Sequence, residues 1–473
     1  MTSRRVLAPR IDFSELRSEL DLPDGFSAAA EQEGEAAARL SFDDRPDRTD
    51  LAFVTIDPPT SKDLDQAVLL QRREGGGYRV FYAIADVAAF VLPGGELEQE
   101  TWQRGQTVYL PDSKVPLHPP VLSEGAASLL PDVTRPAVLW TIDLDAEGTT
   151  VATDVGRVRV RSRAKLDYEQ VQADVDAGRP HPSIELLPEI GKLLVAKGLR
   201  RGAVNLPLPE QEIEPDGDGW RLTLRAPVAA EEYNAQISLL TGMAAAQIML
   251  GGKVGLLRTM PAPPPEVIAR LRLAANALHV EWPDGATPGE VIAALDPAQP
   301  RAAAFIDQAA EMMRGAGYTP FDGDLPEQPL HAAVAASYAH VTAPLRRLAD
   351  RYVTEVCLAL HSGVEIPLWA LEALPKLPEV MSHTDRVAGA AERGAVDLTE
   401  AVLLAGRVGE EFDAAVLDVD PKGNRGAIAL DDPPVRARCE GVALPLGERI
   451  RVRLAEADPT RRKVLFKAVQ LEP

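Results

Sequence analysis

The stretch Thr55-Ile-Asp57-Pro-Pro-Thr-Ser-Lys-Asp63-Leu-Asp65-Gln66 decides how the rest of the chain is read. It grows out of Leu51-Ala-Phe-Val-Thr-Ile56, an apolar run that reads as a buried strand. The strand delivers Asp57 to its end, and the Pro-Pro pair opens a loop. Asp63 and Asp65 sit at alternate positions, so an extended backbone points both carboxylates the same way. Three converging carboxylates make a hard-oxygen site suited to Mg²⁺. Two such ions can clamp the attacking and leaving oxygens of a phosphodiester. The same residues also suit an acidic surface turn, because Asp and Pro both form turns.

Downstream, residues 67–71 and 78–85 read as strands, the latter after the turn Gly75-Gly-Gly77. Residues 138–144 and 149–165 continue a mixed sheet. Helical patterns dominate from about residue 183 and include 265–278, 302–313 and 346–360. A long helix is expected over 379–405, weakened by Gly389 and Gly394. Upstream, residues 1–48 read as two short helices: 13–20, then a turn over 21–25, then a helix capped by Ser27. That module suits either a helix-turn-helix or a packing appendage. The last segment holds five short strands, 411–417, 425–430, 435–439, 449–454 and 463–469, separated by turns. This spacing suggests an OB-type barrel, a common nucleic-acid platform. It carries 12 acidic and 12 basic residues and is neutral within a chain of net charge −21.

The acidic balance argues against a protein that coats itself in nucleic acid, but leaves room for a local basic channel. Two motifs offer one. In Tyr338-Ala-His-Val-Thr342-Ala-Pro344-Leu-Arg346-Arg347-Leu-Ala-Asp350, Pro344 can open a helix whose N-terminus faces an anion. Arg346 and Arg347 add guanidinium forks that match phosphate; pairing with Asp350 and Glu355 along a surface helix is the other reading. In Arg157-Val-Arg159-Val-Arg161-Ser-Arg163-Ala-Lys165, period-two spacing puts five cations on one strand face. A polyanion or a facing set of carboxylates satisfies them, and Tyr168 beside the track suits base stacking. His118, His331, His340 and His383 lack metal-ligand spacing. The two cysteines, Cys357 and Cys439, read as buried thiols in a reducing cytoplasm. The N-terminus has no sustained apolar stretch, and no apolar run is expected to cross a bilayer.

Taken together, these motifs resemble the RNB catalytic domain of the RNase II family. Thr55-Ile-Asp57…Asp63-Leu-Asp65 resembles its four-acid magnesium signature. Thr342-Ala-Pro-Leu-Arg346-Arg347 resembles its Thr-Ser-Pro-Ile-Arg-Arg motif, and Ala83-Ile-Ala-Asp86-Val its Ile-Ala-Asp-Val strand. Tyr109-Leu-Pro111, Ala164-Lys-Leu-Asp-Tyr168, Glu231-Glu232 and Ala391-Glu392-Arg393 follow in the family's order. The resemblance implies an α+β chain: a small helical module (1–48), an RNB domain with a mixed sheet and helices around an RNA channel (49–404), and an S1-type OB barrel (405–473).

It further implies a 3′→5′ exoribonuclease, monomeric and cytoplasmic, that releases nucleoside 5′-monophosphates from single-stranded RNA with a free 3′ end. Asp57, Asp63, Asp65 and Gln66 would hold Mg²⁺, with Mn²⁺ as a substitute, and Asp65 is the most critical carboxylate. Arg346 would hold the scissile phosphate, and Glu392 would act beside the departing nucleotide. Tyr109 and Tyr168 would bracket stacked bases, and one of Glu231 and Glu232 would bind ribose. Thr342, Arg347, Arg161, Arg163 and Lys165 would line the RNA path. Three departures stand out. The fourth acidic position is Gln66, Ile213 stands where an aromatic partner for Tyr109 is expected, and no pair of cold-shock barrels fits before Leu51. The last departure carries the expectation that duplexes with a 3′ overhang are partly degraded. Gln66 keeps open the alternative of a catalytically impaired RNA-binding regulator, and a phosphodiesterase for DNA or small nucleotides is the third reading.

Overall fold

The computed structural model describes residues 4–8, 10–207, 209–217, 219–420 and 422–469. The chain opens with strand β1 (Arg4–Ala8) and helices α1 (Ser14–Glu19) and α2 (Ala28–Ala37). Ser27 caps α2, its hydroxyl accepting the Ala30 N–H at 3.2 Å. There follow β2 (Phe53–Ile56), β3 (Gln66–Arg72), β4 (Tyr78–Ala85), α3 (Glu96–Arg104), the hairpin β5 (Val108–Leu110) and β6 (Ser113–Val115), and the long strands β7 (Thr134–Leu144) and β8 (Thr150–Leu166).

The expected mixed sheet is present and closes on itself as a barrel, β2-β3-β4-β7-β8. Its pairs are antiparallel except β2 with β8, which close it in parallel. Both faces of the strands are apolar because both are buried. Val54, Val68, Val80, Tyr82, Val138 and Trp140 face one cluster, shared with helices from later in the chain. Phe53, Leu69, Phe81 and Leu139 alternate into a second cluster, which also takes in Leu345.

The helical half contains α4 (Tyr168–Asp176), α5 (Leu187–Arg201), the hairpin β9 (Glu210–Asp216) and β10 (Gly219–Arg225), α6 (Ala229–Gly252), and β11 (Val254–Thr259). Helices α7 (Pro265–Ala277), α8 (Pro288–Ala293) and α9 (Pro300–Ala309) come next, then β12 (Gly317–Asp322), β13 (Leu330–His331) and β14 (Ala336–Ser337). Helices α10 (Leu348–Ser362), α11 (Leu368–Ala373) and α12 (Leu377–Leu404) complete it. Helix α6 is uncharged from Tyr233 to Gly252 and is long and apolar enough to cross a membrane, which corrects the expectation that no run is. Its Ile237, Leu240, Ala245, Ala246 and Met249 are buried in the main core, the packing of a central helix of a globular domain.

The C-terminal segment is a second closed five-stranded barrel, built from β15 (Glu411–Val419), β16 (Arg425–Leu430), β17 (Arg436–Glu440), β18 (Arg449–Asp458) and β19 (Lys463–Ala468). Phe412, Val416, Ile428, Cys439, Val452 and Phe466 fill it. Both cysteines are free and buried.

The N-terminal module is neither all-helical nor separate. Strand β1 joins β10 and β9 in a three-stranded sheet, a pairing across more than 200 residues. Phe13 packs edge-on against Trp220 at 5.5 Å. Leu16 presses on α12 at Gly394, where a Cβ would meet its Cδ1 at 2.7 Å. The glycine that weakens the helix in sequence thus makes room for a helix crossing. Glu33 of α2 caps α3, accepting the N–H groups of Glu96 and Leu97 at 3.0 and 2.9 Å.

Candidate active site

The acidic loop leaves the first barrel where β2 ends and re-enters where β3 begins. The Asp57 N–H donates to the Leu166 carbonyl at 3.0 Å, extending the β2–β8 ladder by one step. The Ala85 N–H donates to the Asp65 carbonyl at 2.9 Å, extending the β3–β4 ladder. Between these anchors, Lys165 Nζ donates to the Pro59 and Ser61 carbonyls at 2.6 and 2.5 Å. Ser128 clamps the other side, donating to the Lys62 carbonyl at 2.7 Å and accepting the Leu64 N–H at 3.0 Å.

Onto this loop folds the segment that carries Arg346. The Leu345 N–H donates to Asp65 Oδ1 at 2.7 Å across 280 residues of sequence. Arg346 Nε lies 3.6 Å from Asp65 Oδ2. His118 Nδ1 donates to the Leu345 carbonyl at 3.1 Å, and the Thr107 N–H donates to the Arg346 carbonyl at 3.0 Å. Pro344 does not open a helix: it sits in a turn, and α10 begins only at Leu348. Asp350 explains the delay, because its carboxylate accepts the Ala343 N–H at 2.7 Å and so caps the turn.

Burial dominates the electrostatics. Desolvation pushes the Asp65 carboxyl up to about 8, against the pull of Arg346 and the Leu345 N–H. It pushes Asp57 up to about 6, against Lys165 and Arg346. Asp63 is held instead by direct contacts, with Lys114 Nζ at 3.1 Å and the Tyr109 hydroxyl at 3.1 Å. A buried and a half-buried carboxylate whose desolvation exceeds the help from nearby cations fit a hard divalent cation in donor chemistry. Among the described residues, however, no three acidic, histidine or cysteine side chains form a set that could hold a metal. Gln66 does not fit the fourth position. Its oxygen accepts from the Tyr82 hydroxyl at 3.1 Å and its nitrogen donates to the Thr342 carbonyl at 2.6 Å.

The expected RNA path needs more correction. Arg347 is spent on Asp350, at 2.7 Å, in a buried pair. Along β8, Arg157 pairs with Asp86 at 2.9 Å and with Glu355, while Arg159 pairs with Asp43 at 2.8 Å. Arg161 reaches the Thr134 hydroxyl, and Arg163 the Thr49 carbonyl at 2.5 Å. The cationic strand therefore finds its anions and acceptors inside the protein, the second of the two readings its spacing allowed. Glu231 caps α6 through the Val228 N–H at 2.9 Å and pairs with Arg225 at 2.5 Å. Glu232 accepts from Asn205 at 3.1 Å. The Thr342 hydroxyl is bonded to Ser238 at 2.8 Å. Tyr168 stays at the site: its hydroxyl accepts from Asn234 at 3.3 Å, and burial and the nearby Asp57 raise its pKa. Tyr109 exposes half its surface on β5. Helix α12 packs on that strand through Ala391 and Ala395, which puts the exposed Glu392 next to the Tyr109 hairpin. No hydrogen bond or ion pair among the described residues joins Glu392 to the aspartates.

Sequence reasoning missed Lys114, Ser128, Tyr82 and His118. Lys114 carried a usable signal: it follows Tyr109-Leu-Pro111 in a short hairpin, with a carboxylate as its natural partner. His118 acts by hydrogen bonding from a buried position, where desolvation lowers its pKa to about 4.

With this geometry in hand, similarity to known proteins is decisive. The RNB domain model matches residues 45–362, two thirds of the chain. The chain belongs to the RNB family. The RNase II-type exonuclease C-terminal S1 domain model matches residues 410–469, the second barrel. Ribonuclease R of Escherichia coli is 26% identical over 482 residues; the match covers 90% of this chain and 58% of that protein, so the chain spans under two thirds of that relative's length. The RNB fold extends to Mycoplasma genitalium RNase R, solved with ribose-methylated single-stranded RNA, at a TM-score of 0.83 and 21% identity over 96% of this chain and 77% of that one. It also extends to yeast Ssd1, a pseudonuclease, at a TM-score of 0.68 and 17% identity over 94% and 53%.

Proposed function

We propose that this chain is a 3′→5′ exoribonuclease that hydrolyses single-stranded RNA stepwise to nucleoside 5′-monophosphates in the cytoplasm, as a monomer. The observation that carries this reading is the convergence of Asp65, Arg346 and the Asp57–Asp63 loop from opposite ends of the RNB domain. Mg²⁺, or Mn²⁺ in its place, would be held by Asp57 and Asp65 with Asp63 beside them, and would supply an activated water and neutralise charge on the phosphate. Arg346 is the guanidinium left to the substrate, because its neighbour Arg347 is consumed by Asp350. It faces Asp65 at 3.6 Å with its side chain half exposed, ready to follow negative charge as it develops on a phosphate oxygen. Lys114 and the Tyr109 hydroxyl hold Asp63 in place. The Tyr168 and Tyr109 rings offer stacking surfaces for terminal bases. Glu392 stands at the rim, beside the departing nucleotide.

Incubation of 5′-labelled oligo(A) with Mg²⁺ or Mn²⁺ tests the reading. A ladder shortening from the 3′ end supports it; a shifted but intact band supports the RNA-binding regulator, which the departure at Gln66 favours. A parallel DNA oligomer should survive, since RNA preference requires contacts to the 2′-hydroxyl. A duplex with a 3′ overhang should be shortened into its paired region, in keeping with the likeness to an RNase R solved with double-stranded RNA. Arrest ahead of every duplex would remove that part of the proposal.

A further inference from the structure

We infer that Gln66 is a positioning residue that fastens the Arg346 loop to the acidic strand, and that it is not a metal ligand. The inference rests on the nuclease reading of the same site. A backbone carbonyl can only accept a hydrogen bond, so the Gln66 atom 2.6 Å from the Thr342 oxygen is the amide nitrogen. That fixes the other end: the amide oxygen is the atom 3.1 Å from the Tyr82 hydroxyl. Tyr82 is buried, and desolvation holds its hydroxyl well above the usual range, so it stays protonated and donates. The oxygen that a metal would need is engaged by a buried donor.

Two neighbouring residues therefore grip the loop with opposite polarity. Asp65 accepts the Leu345 N–H, and Gln66 donates to the Thr342 carbonyl. Ala343 and Pro344 span the gap, and Arg346 follows directly. On the far side the Thr342 hydroxyl is bonded to Ser238 of α6, so the chain of contacts runs Tyr82, Gln66, Thr342, Ser238 and ties the barrel to the central helix. A carboxylate at position 66 would set an acceptor against the Thr342 carbonyl acceptor, an arrangement that needs a cation or a proton between them. The neutral amide closes the same gap without one.

The full-length chain is compared with Gln66→Met, Gln66→Glu, Gln66→Asp and Tyr82→Phe. In EDTA, hydrogen exchange at the Ala343 and Leu345 amides should speed up by about tenfold in Gln66→Met and Gln66→Glu, the loss of one buried hydrogen bond. With oligo(A), kcat should fall by about tenfold while KM and the half-activating Mg²⁺ concentration stay within about twofold of wild type. Tyr82→Phe removes the donor that orients the amide and should move exchange in the same direction by less. It also decides the matter if Gln66→Met does not fold. The inference is overturned if exchange is unchanged while the Mg²⁺ requirement rises about tenfold, or if Gln66→Asp tightens Mg²⁺ at wild-type kcat. A wild-type chain that does not cleave RNA would sink the nuclease reading alone, because the exchange measurement needs no catalysis.

Discussion

The molecule contains two closed five-stranded barrels, and they treat charge in opposite ways. The first, β2-β3-β4-β7-β8, buries it. Asp65, Asp86 and the Arg347–Asp350 pair lie inside or against it, each carboxylate held by specific donors. The second wears its charge outside: Arg451 pairs with Asp413 and Arg453 with Glu411, with every partner open to solvent. A buried ion costs several kcal/mol to desolvate and repays it only through exact partners. An exposed pair returns roughly 0 to 1 kcal/mol and is screened by salt. Strand count and closure therefore say little about chemistry; what the strand ends bury says much more.

The sharpest test of that contrast is Asp65→Asn. Loss of the carboxyl group beside Arg346 should lower turnover of oligo(A) by about 10³-fold or more, while RNA binding persists in a gel shift. Retained turnover would mean that the buried carboxylate has no chemical role. Next in size is Asp86→Ala, which strands Arg45 and leaves Arg157 with Glu355 alone; the two now lie 2.7 and 2.9 Å from the carboxylate. It should cost about 3–5 kcal/mol in urea unfolding.

Glu400 sits where the RNB domain meets the second barrel, and burial pushes it up to about 7. A folded pKa above the unfolded value of 4.5 means a stabilising contribution that is full below pH 4.5 and is lost as pH rises through 7. One oxygen accepts both Gln211 Nε2 and the Arg436 N–H, so Glu400→Gln keeps these contacts. The variant should match wild type near pH 4.5 and exceed it at pH 8 by up to about 3 kcal/mol, read as a pH-dependent difference in Tm. The smallest effect belongs to Arg451→Ala: a shift in the urea midpoint close to the error of the measurement, shrinking further in 1 M salt. A loss as large as that of Asp86→Ala would erase the distinction between the barrels.

Much of this was legible in the sequence. Alternating apolar residues located all five strands of the second barrel to within a few residues, and the helix at 265–278 was read almost to its ends. The Asp57–Asp65 loop and Arg346 were named from motif and chemistry before any fold placed them together. What failed depended on non-local partners. Arg157 and Arg159 look like a polyanion track until Asp86, Glu355 and Asp43 fold opposite them. Strand β1, Arg-Arg-Val-Leu-Ala, carries no strong local signal and exists because β10 offers an edge more than 200 residues later. The hairpin β9–β10 fell in a region read as helical, although Asp216-Gly217 marks its turn. Gln66 reads as a magnesium ligand because its family position is visible in sequence and its hydrogen-bonding neighbours are not.

Helix α12 runs 28 residues, about 42 Å at the standard rise, as one unbroken rod. It touches the Tyr109 hairpin, the N-terminal helix α1 and strands β18 and β19 of the second barrel. Glu392 at the rim and Glu400 at the barrel junction are eight positions apart on that rod, about 12 Å. The second barrel and the rim at Glu392 thus share one shaft, so a tilt of the barrel as a rigid body would carry the rim with it.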